Sequence, residues 1–340
     1  MRPSGLPTSP AWRTALAALV CLASLVTTLL LALPTPAQAR PFVDDLGRQV
    51  EVPQAPRRIV SLDDIDVTIP LIELGVLPVA SHGRQGLDGR RYLRASALLT
   101  GVDFDNAPIA FLGAADINIE SVAAARPDLI VTAPGRALPL DQLSRIAPTV
   151  VIDNQSGGAP HIYRRLAELT GTQARLAVLE RRYRAQLAQL RQVVGDPARI
   201  TVSVIQAQNG KIAVYHTYRS LGRVLRDAGF RFPALVDAVP EGGRMEVSAE
   251  RLPELDADFL FDTYRSDTGG KPGAEIAAME KVMPEYCRFL RACREGRYVL
   301  VAREEAISNS YAALGLMAML VQSHLSGRPL PRAAQKPAAR

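Results

Sequence analysis

Arginine carries most of the cationic chemistry in this chain: 36 of the 40 basic residues are arginine and only 4 are lysine. A guanidinium offers a planar fork of donors that suits flat anionic groups better than an ammonium does. Three arginines follow apolar runs that read as strands. Arg136 comes after residues 129–135, Arg219 follows 212–216 by a short turn, and Arg265 comes directly after 260–264. Strand ends form the lip of ligand clefts in α/β proteins. Tyr215, His216, Tyr218 and Tyr264 stand beside these arginines and can supply ring contacts or hydrogen bonds. Arg84, after Ser81-His82-Gly83, marks another strand end, and Arg244 is a lesser candidate.

The remaining arginines are spread among acids and reflect composition. A nucleic-acid binder would show a local basic run with interleaved aromatics, so no nucleic acid is expected. The chain has four histidines, His82, His161, His216 and His324. Two of them fall on expected helices away from strand ends, and neither HExxH nor CxxC occurs, so no bound metal is expected. Ser61 and His216 have no G-x-S-x-G elbow or GxGxxG turn around them. An exported hydrolase would have to assemble its site from scattered residues. The expectation is a binding protein without a cofactor and not an enzyme.

The 340 residues are 48% hydrophobic and 22% charged, which is globular composition and long enough for two domains. Arg2 and Arg13 precede an apolar run over 15–33, followed by Pro34 and Ala37-Gln38-Ala39. That pattern reads as a cleavable secretory signal peptide over residues 1–39; the alternative is an uncleaved anchor. Removing its two arginines takes the net charge from +6 to +4 and places the mature protein in the periplasm. There Cys287 and Cys293 could pair. Six residues apart on a straight helix they would stand about 9 Å apart, beyond disulfide reach. A bridge therefore requires the segment to break, and the pairing stays open.

The elements that must position these residues alternate. Strands are expected at 57–62, 77–81, 128–132 and 149–152, with helices at 66–75, 117–126 and 140–146. A helix at 161–169 precedes a long amphipathic one whose apolar face is Leu176, Leu179, Tyr183, Leu187, Leu190 and Val194, ended by Gly195. The second half repeats the theme. A hairpin joins 200–206 to 212–216 at Asn209-Gly210. A helix covers 218–228, strands cover 259–262 and 298–302, and an apolar helix covers 312–325. Glu120 and Asp128 are echoed eight residues apart by Glu250 and Asp258. In each half the glutamate opens a helix, where its charge suits the dipole, and the aspartate starts a strand.

This order resembles the periplasmic substrate-binding proteins of ABC importers for ferric siderophores and cobalamin. The resemblance rests on Asp44-Asp45-Leu46-Gly47-Arg48, Pro56-Arg57-Arg58-Ile59-Val60-Ser61, Asn118-Ile119-Glu120, Pro127-Asp128-Leu129-Ile130 and Ile146-Ala147-Pro148-Thr149, and it covers about residues 40–327. It implies an α/β fold of two Rossmann-like lobes with parallel-type central sheets, one long rigid helix between them and the ligand cleft where they face. The expected division is 40–158, connecting helices over 159–195, 196–326, and a disordered tail over 327–340. The implied partners are a ferric siderophore and the ABC importer permease in the inner membrane, with the protein a monomer. In such importers one glutamate per lobe docks onto permease arginines, and the matching positions are Glu120 and Glu250.

Arg136, Arg219 and Arg265 look like the arginine triad of the catecholate siderophore binders. Guanidinium forks can hydrogen-bond catecholate oxygens and stack on the rings. The position where some of these binders ligate iron with a histidine reads Gly242-Gly243-Arg244-Met245-Glu246, and the tyrosine region, 302–309, has no tyrosine. That favours a ligand whose iron is already saturated. Haem through an axial Tyr215, His216 or Tyr264, cobalamin and a bare metal ion are the alternative ligands.

Overall fold

The computed structural model describes residues 39–135 and 139–326. The signal-peptide and tail expectations, and Arg136, lie outside the described residues. Fourteen strands are described in chain order. In the N-terminal half they are β1 Ala39–Val43, β2 Gln49–Pro53, β3 Ile59–Ser61, β4 Ala80–Ser81, β5 Arg84–Gln85, β6 Arg91–Tyr92, β7 Ala110–Phe111, β8 Leu129–Thr132 and β9 Thr149–Val151. In the C-terminal half they are β10 Val202–Gln208, β11 Lys211–Tyr215, β12 Arg244–Val247, β13 Phe259–Tyr264 and β14 Tyr298–Ala302.

Two five-stranded sheets organise the lobes. The N-terminal sheet has the order β7-β4-β3-β8-β9 and is parallel throughout. Its strands β3, β8 and β9 are buried at every residue, as expected for a parallel sheet covered on both faces. The C-terminal sheet has the order β12-β11-β10-β13-β14. Strands β10, β13 and β14 pair in parallel, while β11 pairs antiparallel with both β10 and β12. The expected hairpin is the reason. Asn209 (φ 53°) and Gly210 (φ 71°) supply the two left-handed positions of a tight turn, which sets Gln208 opposite Lys211.

The eight-residue echo has a structural counterpart. The Asp128 carboxylate accepts from the Arg57 and Arg58 amides at 2.7 and 2.9 Å, tying the start of β8 to β3. Asp258 accepts from the Thr201 amide at 2.8 Å and does the same for β13 and β10. Glu120 lies in the first turn of helix Ile119–Ala124, capped by Asn118. Glu250 differs from expectation: it lies in a 3-10 helix, Ala249–Leu255, with Pro253 inside it.

The long helix spans Gln173–Val194 and buries the six residues expected of its apolar face. It does not work alone. Helices Gly158–Thr170 and Tyr311–Leu325 lie with it, and one apolar core runs through all three into both sheets, from Val131 and Val150 to Val204, Phe261 and Val301. Gly315 allows the close approach, since a Cβ there would stand 2.6 Å from Gln186 Nε2. The expected helix over 66–75 divides into a π-helical turn, Asp64–Thr68, and helix Ile69–Glu73, and ends before Gly75 (φ 85°). Cys287 and Cys293 are bridged, with Cα atoms 5.1 Å apart. The segment does break between them, into a 3-10 turn at Tyr286–Arg288 and a short helix at Arg291–Arg294. No helix among the described residues is long and apolar enough to cross a membrane.

Candidate functional site

A cavity of about 330 Å³ opens between the lobes. The N-terminal lobe contributes Asn154, Gln155 and Gly157 to Ala159. The C-terminal lobe contributes Tyr215, Thr217 to Ser220, Arg223, Glu241 to Arg244, Arg303 and Asn309. Asp66, in the turn after β3, lies beneath this cavity. Its carboxylate accepts from Arg219 Nη1 at 3.0 and 2.8 Å, from Asn154 Nδ2 at 2.7 Å and from Asn309 Nδ2 at 3.1 Å. Asn309 also donates to the Asn154 carbonyl at 3.3 Å. Two residues from each lobe therefore meet in one buried network. Burial and the neighbouring Asp63 push the Asp66 carboxyl up to about 6, although Arg219 opposes the shift. Arg219 has φ 41°, a left-handed position that a non-glycine residue rarely holds; its ion pair fixes the side chain there.

A second polar cluster lies along the same cleft. The Asp64 carboxylate is fully buried and takes Arg84 Nε at 3.0 Å, Arg84 Nη2 at 3.1 Å and His82 Nδ1 at 3.2 Å. Burial alone would raise its pKa, but His82 and Arg84 outweigh burial and hold it well below the usual carboxylate range. Arg265 Nη2 meets Asp267 Oδ2 at 3.2 Å, and Arg94 of the other lobe reaches the same Asp267 oxygen at 3.6 Å. Glu304, beside Arg303, accepts from the Ser266 amide and hydroxyl at 3.0 and 2.8 Å.

The structure thus brings Arg219 and Tyr218 to the cavity, with Tyr215 and Arg244 beside them. It places Arg84 and Arg265 in the second cluster, each on a carboxylate. His216 and Tyr264 do not line the cavity. His216 is half-buried with Nδ1 on the Thr217 hydroxyl, and burial together with Arg226 lowers its pKa. Tyr215 donates to Gln206 Oε1 at 3.1 Å, and the Tyr218 hydroxyl is 2.8 Å from Thr263 Oγ1. Burial drives the Tyr218 phenol well above its ordinary value. With both hydroxyls hydrogen-bonded, these two residues present ring surface to the cavity. No group of three or more His, Cys, Asp or Glu among the described residues is placed to hold a metal ion.

Sequence reasoning missed Asp64, Asp66, Arg94, Asn154, Arg303 and Asn309. Three of these, Asp64, Asp66 and Arg303, carried a usable signal. Leu62-Asp63-Asp64-Ile65-Asp66 follows a strand directly, and Arg303 follows β14 directly, by the same rule that selected Arg265. The two asparagines gave none, because their meeting depends on how the lobes face.

A cleft between two α/β lobes, floored by a network that both lobes build, defines a binding protein. Residues 94–281 match the family model described as periplasmic binding protein, and the chain belongs to that family. It is 27% identical over 231 residues to a probable siderophore-binding lipoprotein, YfiY, of Bacillus subtilis (strain 168), covering 65% of this chain and 68% of that one. It is 28% identical over 155 residues to the iron(3+)-hydroxamate-binding protein FhuD of the same organism, covering 42% and 48%. Among solved structures, SirA of Staphylococcus aureus complexed with staphyloferrin B superposes with a TM-score of 0.66 at 21% identity, over 84% of this chain and 97% of that one. The expected two-lobed α/β fold, the family resemblance and the reading as a binding protein and not an enzyme are borne out.

Proposed function

We propose that this protein captures a ferric siderophore in the interlobe cleft and delivers it to the permease of an ABC importer, acting as a periplasmic monomer after loss of residues 1–39. The observation that carries this reading is the cavity itself. It lies between the lobes of a periplasmic binding protein and is lined by guanidinium, amide and aromatic groups, with no cluster of iron ligands among the described residues. A ligand whose iron is already saturated needs that lining. The names of the relatives point the same way. Lobes over 40–158 and 196–326, joined through 159–195, fit this reading.

The charge of the ligand depends on the arginines. An anionic catecholate, the type suggested by Arg136, Arg219 and Arg265, has to draw Arg219 from Asp66 and Arg265 from Asp267. A ferric hydroxamate, which carries little net charge, leaves both pairs intact, and those pairs are the observation favouring this second reading. Tyrosine fluorescence reports binding, since the only tryptophan is Trp12. Titration with ferric catecholates, hydroxamates and polycarboxylates, haem and cobalamin decides between them. Ferric siderophores should bind, and haem and cobalamin should not. If catecholates bind best, Arg219→Ala and Arg265→Ala should each weaken binding by about 1–3 kcal/mol. If hydroxamates bind best, Arg265→Ala should have little effect. Binding to none of the ferric complexes contradicts the function.

Glu120 and Glu250 are exposed, each in the first turn of its helix, and we assign them to permease docking. Reversing both charges should abolish iron uptake in cells while the affinity for ligand stays unchanged; normal uptake would refute the assignment.

A further inference from the structure

We propose that Arg303 is the guanidinium that meets the bound chelate, while Arg219 serves as the tie between lobes. This inference rests on the ferric siderophore reading and names the residue and the ligand character behind it. Four arginines line the cavity: Arg219, Arg223, Arg244 and Arg303. Three are already occupied. Arg219 sits on Asp66 at 2.8 Å, Arg223 on Asp227 at 3.0 Å, and Arg244 on Gln208 and Glu246, each at 2.9 Å. Arg303 alone of the four makes no side-chain hydrogen bond or ion pair with a described residue.

An unpaired charge that is half-buried is costly to hold, and proteins ordinarily pair such groups. Among the described residues no acceptor meets the five donors of Arg303, which lines the cavity; Asp262 and Glu275 feel its charge without bonding to it. The Arg303 backbone is well fixed. It follows β14 directly, as Arg265 follows β13, each one residue beyond the paired Tyr264 and Ala302. The neighbouring Glu304 is anchored to the loop after β13. The fork is therefore held ready for an oxygen-rich partner from outside, and the iron-bound oxygens of a chelate provide one. Tyr215 and Tyr218 complete the wall. Their rings meet edge to face at 4.8 Å, and their hydroxyls are committed to Gln206 and Thr263. They offer the chelate an aromatic surface and leave its iron shell intact.

The other cations of the cavity are neutralised by Asp66, Asp227 and Glu246, so one free guanidinium suits a chelate of low net charge. A trianion would require the buried network beneath the cavity to be dismantled. Each iron-bound oxygen carries partial negative charge even in a neutral complex, so the fork still has acceptors to meet.

The test uses the mature chain and the variants Arg303→Gln, Arg303→Lys and Arg219→Gln. Affinity is measured for a ferric trihydroxamate, a ferric tris-catecholate and ferric citrate, together with the melting temperature. Arg303→Gln should lose at least tenfold in affinity for the complex the wild type binds best, with an unchanged melting temperature. Arg303→Lys should recover part of that loss, and Arg219→Gln should lower the melting temperature. The assignment of Arg303 is overturned if wild type binds a ferric chelate and Arg303→Gln binds it equally well. It is also overturned if affinity and melting temperature fall together in that variant. Preference for the tris-catecholate would overturn the low-charge character of the ligand. Wild type binding to none of the three would sink the siderophore reading, and this inference with it.

Discussion

In the N-terminal sheet, strand β3 runs into Asp63, Asp64 and Asp66. In the C-terminal sheet, β13 and β14 run into Arg265 and Arg303. The sheets share a strand order, with β3, β8 and β9 standing where β10, β13 and β14 stand in the other. The end of β3 thus leads into carboxylates and the ends of β13 and β14 into guanidinium groups, while Arg84 and Arg94 on one side and Asp267 and Glu304 on the other carry the opposite charge. The strand ends facing the cleft are the common feature, and the side chains placed there decide which lobe holds and which receives. The contrast continues below the surface. Asp64 and Asp262 are both fully buried carboxyls. Asp64 has Arg84 and His82 against it, and its pKa falls below the usual range despite burial. Asp262 accepts from the Tyr298 hydroxyl at 2.7 Å and the Thr263 amide at 2.7 Å, and burial pushes it up to about 7 although the charge of Arg303 opposes the shift.

Removing the tie between lobes should break this comparison most severely. Arg219→Ala leaves Asp66 buried without its charged partner, a class of change that costs about 3–5 kcal/mol. Urea denaturation should show the loss, smaller at pH 5 than at pH 8, because Asp66 protonates more readily once Arg219 is gone. An undiminished stability would mean that the lobes do not depend on this network.

The two buried aspartates should have opposite pH signatures. Asp262 titrates higher in the folded protein than in the unfolded chain, so protonation favours folding. Its contribution is full below about pH 4 and is lost as pH rises toward 7. Asp64 behaves conversely: its contribution is full at neutral pH and is lost only as pH falls below the ordinary carboxylate range. Asp262→Asn should flatten the decline in stability between pH 4 and 7 by on the order of 3 kcal/mol. An unaltered slope would remove the contrast with Asp64.

The disulfide has a smaller effect, confined to one lobe. Cys287→Ser with Cys293→Ser opens a short loop beside the C-terminal sheet and should cost about 2 kcal/mol in chemical denaturation. Protection from hydrogen exchange should fall around residues 283–297 and β14 and stay unchanged in the N-terminal sheet. Loss spread equally over both lobes would argue that they unfold as one unit.

Much of the fold was legible in the chain. The apolar period of the long helix, the Asn209-Gly210 turn and the glutamate-to-aspartate echo depend on local spacing, and each appears in the structure in its expected place. The third departs only in helix type, because Pro253 removes an amide donor that a continuing α-helix would use. The site was less legible. Arg219 and Arg265 were found by their strand-end positions, but whether each was free or paired depended on residues far away in sequence. Asp66 lies 153 positions from Arg219 and 243 from Asn309.

The sequence by itself determined the alternation of strands and helices, the apolar faces and the strand-end positions where charged side chains would gather. These follow from backbone geometry and periodicity, which act over a few residues. Only the tertiary structure decided which charges meet. Electrostatic pairing and desolvation are set by distance and burial in three dimensions, so the lobes had to face each other before Arg219 became a tie and Arg303 was left without an acceptor among the described residues.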